Sequence, residues 1–158
     1  MYTKGWSIYE IDCCIVCTIF IFKGDNMKEV TRLMIREFNI KKLGYDFMGY
    51  SLQKDDIYTF HHLIIPNRKG GVVSRDNGAI LCGKSSHPYL HLIEYIDPEI
   101  FYYITAEMID ENIKGKLDVN NLRKINDLLT YFEREHSTDR NKRGKLLIKD
   151  AYYDRVRV

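Results

Sequence analysis

Hydrophobic and polar positions recur along this chain with two different periods, and the changes of period mark out its elements. Asn26 followed by Glu29 has the form of a capping box, and Val30, Met34 and Phe38 then recur on one face. Together they predict a helix through about Phe38. Gly44 ends or follows that helix, and residues 45–53 are aromatic and irregular. Residues 57–62 (IYTFHH) are rich in β-formers and read as a strand. Pro66 closes it, because proline has no N–H to give to a ladder. Residues 67–76 form a basic, glycine-rich loop, and the apolar run 79–82 fits a returning strand. Ser85, Ser86 and Pro88 mark a helix start, with proline in the first turn where its missing N–H costs nothing. A further helix is expected over 98–113, with Ile100, Ile104 and Met108 inward. Asp118 caps another, whose stripe is Leu122, Ile125, Leu129 and Phe132.

This mixture of strands and helices is an α+β pattern. A length of 158 residues suits one domain with appendages. Residues 1–26 read as an apolar extension, with Met27 as an alternative translation start; 27–136 read as the core domain and 137–158 as a basic tail carrying Arg140, Lys142, Arg143 and Lys145. The helices over 98–136 are expected to supply the core and a surface for a homodimer. With 24 basic against 22 acidic residues, net +2, global charge gives no argument for nucleic-acid binding. A phosphate-binding face has to come from local clustering.

Cys13, Cys14 and Cys17 crowd into one apolar stretch and Cys82 stands alone, unlike the spread spacing of a secreted disulfide framework. A reducing, cytoplasmic compartment is therefore expected. The run 11–22 holds 12 residues, short of the ~20 that a spanning helix needs. A buried strand is expected there, and no membrane partner.

Histidine placement carries the chemistry. Four of the five histidines, His61, His62, His87 and His91, fall within 31 positions. Neighbours on a strand point to opposite faces, so His61 and His62 enter one site only if the strand ends or twists there. On a helix His87 and His91 share a face, a spacing suited to chelating one metal.

The order His61-His62-Leu63-Ile64-Ile65-Pro66, Gly70-Gly71, Asp76-Asn77, Ile80-Leu81-Cys82, then His87 and His91, resembles the HNH (ββα-metal) endonuclease motif. It is most similar to the colicin-type DNase branch, and compact free-standing members of the family resemble bacterial or phage proteins. The resemblance covers about a fifth of the chain, within 60–95. It implies a hairpin-plus-helix core around one divalent ion, with additional N- and C-terminal helices. It further implies His62 as general base, Asn77 as the brace that orients it, and His61, His87 and His91 as metal ligands. The spacing from Cys82 to His87 departs by one residue from the commoner Cys-x-x-Cys-His ending, and Ser85 replaces the second cysteine, so no zinc ribbon is expected.

The implied reaction is hydrolysis of DNA phosphodiester bonds, with double-stranded DNA as the family's usual partner. Three imidazoles favour Zn²⁺, Ni²⁺ or Mn²⁺ over Mg²⁺. Arg68, Lys69, Arg75 and Lys84 surround the motif and are expected to hold phosphates. The alternative is a non-catalytic, metal-stabilised module that binds nucleic acid or protein.

Overall fold

In the first helix of the described residues, α1 (Gly24–Glu37), the four-residue spacing buries Met34, followed by Phe38 just past its end. It begins two residues ahead of Asn26. The computed structural model describes residues 24–54, 56–136 and 155–156; the run 11–22 with its three cysteines, and the tail cations Arg140 to Lys145, lie outside them. Asn39 takes a left-handed conformation (φ 56°), which asparagine tolerates better than most residues. It turns the chain into a single-turn helix, α2 (Ile40–Leu43), closed by Gly44.

The irregular aromatic segment folds back on itself through a Tyr45–Ser51 bridge. Phe47 and Tyr50 are fully buried, so these rings pack the core. Asp46 organises the turn. One of its carboxylate oxygens accepts the N–H groups of Met48 and Tyr50, at 3.0 Å each. The other accepts the Cys82 N–H at 2.9 Å and the Ser86 hydroxyl.

Strands β1 (Tyr58–His62) and β2 (Gly78–Cys82) pair antiparallel, with His61 opposite Ala79 and His62 opposite Gly78. Two 3₁₀ turns, Asn67–Lys69 and Arg75–Asn77, punctuate the loop between them. Gly78 is required by close approach: a Cβ there would overlap the Phe60 ring. The chain then enters α3 (Ser86–Ile96), α4 (Pro98–Lys114) and α5 (Val119–His136). Ser86 starts α3 as the sequence predicts, but its hydroxyl serves Asp46 and not the helix cap. Asp97 and Asp118 cap the next two helices, accepting from the N–H groups of Ile100 at 3.2 Å and Asn120 at 2.8 Å.

The described residues thus form an α+β fold of five helices and one two-stranded sheet. Helix α4 lies against α3, α5 and β2, and the expected stripes, Ile104 and Met108 on α4 and Leu122, Ile125, Leu129 and Phe132 on α5, are all buried. His136, at the end of α5, sits 3.2 Å from Asp97 and packs on the Phe132 ring at 4.7 Å. No helix among the described residues is long and apolar enough to cross a membrane.

One core group opposes folding in a pH-dependent way. Glu111 on α4 is buried, with one carboxylate oxygen unpartnered, and burial pushes its pKa up to about 9. The folded chain keeps a proton that the unfolded chain releases above about 4.5. Stability therefore falls as pH rises between those two values. Glu111→Gln is expected to flatten this decline and to raise unfolding free energy at pH 8 by about 2 kcal/mol. Urea denaturation at pH 6 and pH 9 checks it: an unchanged pH slope contradicts the assignment.

Candidate metal centre

The site is assembled by two periodicities. On β1, residues two apart share a face, so Thr59 and His61 look toward α3 while Phe60 and His62 occupy the other side. On α3, His87 and His91 lie one turn apart on the same face, their rings stacked at 5.1 Å. The His61 ring meets both edge-on, at 5.2 and 5.3 Å. One nitrogen from each of the three rings falls within 4.8 Å of the others. These three residues are close enough to hold a metal ion.

The hydrogen bonds around the trio fix which nitrogens face inward. Thr59 gives its only hydroxyl proton to the Leu81 carbonyl at 3.0 Å. Its oxygen then accepts from His87 Nδ1, 2.7 Å away, in the tautomer that satisfies both contacts, with the hydrogen on Nδ1. The lone pair of His87 is then on Nε2, which lies 3.3 Å from His61 Nδ1. His91 Nδ1 faces a Glu94 carboxylate oxygen at 3.1 Å, which likewise leaves Nε2 as the free lone pair. Such outer partners, a hydroxyl and a carboxylate, are what orient and sharpen metal-binding imidazoles.

Electrostatics favour neutral rings. Burial, reinforced by the neighbouring histidines, holds His61 well below the usual histidine range. The same causes lower His87 to about 3. At neutral pH both therefore present lone pairs and not positive charges. The donor set fits a divalent transition ion: three imidazole nitrogens in a mostly buried cluster.

His62 stands outside the trio. Its ring packs edge-on against Phe60 at 5.0 Å. Burial lowers its pKa, and a backbone hydrogen bond with Gly71 partly offsets the shift. Its Nε2 has no protein partner among the described residues.

Asn77 lies beneath the loop. Its side-chain oxygen accepts from the N–H groups of Ile64 and Ile65, both at 2.9 Å. Its amide nitrogen donates to the carbonyls of Ile65 at 3.0 Å and Val72 at 3.1 Å. Four bonds from one side chain tie residues 64–72 to the start of β2.

The cations are placed differently from one another. Arg68 and Lys69 are exposed on the loop, with the Arg68 guanidinium 3.9 Å from Glu94. Lys84 is exposed in the turn between β2 and α3. Arg75 is occupied by the fold: its guanidinium contacts Glu37 at 2.7 Å and the Asn112 carbonyl and side-chain oxygens at 2.8 Å each. Sequence reading missed Thr59 and Glu94, although both follow from periodicity, two residues before His61 on the strand and three after His91 on the helix. It also missed Asp46, for which no local signal exists. No family model matches the chain, and no curated protein or solved structure is significantly similar to it.

Proposed function

We propose that this protein is a metal-dependent endonuclease of the HNH, ββα-metal type that hydrolyses DNA phosphodiester bonds. The observation that carries the reading is the convergence of His61, His87 and His91 from a hairpin and the helix that follows it, with His62 on the adjoining strand position. His61, His87 and His91 hold the ion in this reading. The bound ion supplies Lewis-acid neutralisation of charge on the scissile phosphate and the departing oxygen.

The chain's own residues do the remainder. His62, kept neutral by its lowered pKa, accepts a proton from the attacking water. Asn77 fixes the loop that follows His62, so the ring has a defined place relative to the trio. Arg68 and Lys69 meet backbone phosphates. The second reading, a metal site that only stabilises a binding module, is favoured by the burial of His61 and His87.

One comparison separates the two. His62→Ala is expected to slow metal-dependent plasmid nicking by at least ~100-fold while isothermal titration shows Zn²⁺ affinity nearly unchanged. Nicking at the unsubstituted rate removes His62 from the chemistry. Metal-dependent thermal stabilisation with no nicking by either protein supports the module instead.

A further inference from the structure

The loop that follows His62 splits its apolar residues between two sides. Leu63 is buried and Val73 packs against the core. Ile64, Ile65 and Val72 point outward, 59%, 50% and 67% exposed. These three are not scattered. The backbones of all three bond to the one Asn77 side chain, so they gather within a single hydrogen-bonded span.

That span is also stiff. Gly71 packs so closely on the Ile65 carbonyl that a Cβ there would overlap it, and its N–H bonds to the Pro66 carbonyl at 3.1 Å. The side chains themselves are β-branched, with little rotamer freedom to lose on binding. A single exposed aliphatic residue is ordinary. Three held together on a braced loop beside a candidate active site form a contact surface. Between them lie the exposed cations Arg68 and Lys69, and residues 63–74 contain no acidic residue.

From this arrangement we infer that the 63–72 loop is an aliphatic wedge that enters DNA at an unstacked base step. This rests on the nuclease reading above and adds a substrate preference to it. Arg68 and Lys69 hold the flanking phosphates, while Ile64, Ile65 and Val72 fill the gap between separated bases. Small aliphatic wedges act in this way in proteins that kink duplexes, and unstacking each step has a free-energy cost. A duplex already opened by a mismatch avoids that cost. The wedge therefore favours mismatched over fully paired DNA.

The test uses the full chain with Zn²⁺ bound and His62→Ala as background, so that DNA stays intact. Fluorescence anisotropy reads binding to a fully paired duplex and to the same duplex with a central mismatch. The native loop is expected to bind the mismatched duplex about 10-fold more tightly, because part of the unstacking cost is already met. The triple variant Ile64→Ser, Ile65→Ser, Val72→Ser is expected to lose that difference while its melting temperature stays within a few degrees. Equal preference in the two proteins overturns the wedge, as does failure of the native loop to bind either duplex. A dimer that the serine loop dissolves without changing DNA binding also overturns it, in favour of self-contact. Nicking by the unsubstituted chain is scored separately. Nicking with loop-independent binding removes the wedge alone, whereas loop-dependent binding without nicking removes the nuclease reading alone.

Discussion

His87→Ala is expected to lower Zn²⁺ affinity by at least about 100-fold, beyond the 10- to 100-fold typical of losing an outer partner. His87 is at the centre of the cluster in a specific sense. Its Nδ1–H is committed to Thr59, whose own proton is committed to Leu81, so its Nε2 lone pair has one direction open, toward His61. Removing the ring deletes that lone pair and also leaves the Thr59 oxygen without its donor. Thr59→Val keeps the ring and removes only its orientation, with an expected loss of about 10-fold. Competition against a chromophoric chelator measures both. The ordering matters as much as the sizes: if Thr59→Val weakens binding as much as His87→Ala, the ring is not the ligand. A melt of each apo-protein shows that the variants are folded.

Asp46→Ala is expected to destabilise the fold by about 4 kcal/mol, because it removes an acceptor from each of four buried donors. In a domain of this size that is a fall in melting temperature of about 10 °C or more. Three of those donors are backbone N–H groups, and of these the Cys82 N–H has a second acceptor in the Ser86 oxygen at 3.0 Å. The fourth, the Ser86 hydroxyl, begins the helix that carries His87 and His91. Asp46 thereby clamps the end of β2 to the start of α3, and its loss is expected to weaken metal binding as well as folding. Ser86→Ala removes only one of the four and is expected to cost about 1 kcal/mol. Guanidinium denaturation of both variants checks the pair. A cost below about 1 kcal/mol for Asp46→Ala contradicts its role as the clamp.

The two kinds of residue differ in how far the sequence reveals them. Val30, Met34 and Phe38, or Leu122 to Phe132, announce their helices because burial imposes a period that a single sequence displays. The histidine trio is legible for the same reason, since strand and helix periods decide which rings share a face. Thr59 and Glu94 lie within reach of that reasoning, being neighbours of His61 and His91 on the same faces. Asp46 does not. Its partners Cys82 and Ser86 are distant in sequence, and an acidic residue in an aromatic segment gives no sign that it is buried. His136 is hidden for a related reason: its charged neighbours suggest exposure, but Asp97, distant in sequence, pairs with it at 3.2 Å. Arg75 looks like a phosphate contact in a basic loop, whereas tertiary structure turns it toward Glu37 and Asn112. Long-range polar pairing, more than apolar packing, is where the sequence falls silent.

The hairpin register has a consequence for how such a site tolerates insertions and deletions. Pairing fixes His61 opposite Ala79 and His62 opposite Gly78, and a shift of one residue reverses every side chain's face. Length changes within the 63–77 loop are therefore of two kinds. Those absorbed at the exposed tip leave the strands in place. One that passes into β1 exchanges the two adjacent histidines, presenting His62 to α3 and turning His61 away. The fold survives such a slip poorly, since Phe60 would leave the space that Gly78 provides for its ring. A two-residue dipeptide, His-His, thus carries two distinct assignments whose separation is set by strand pairing alone.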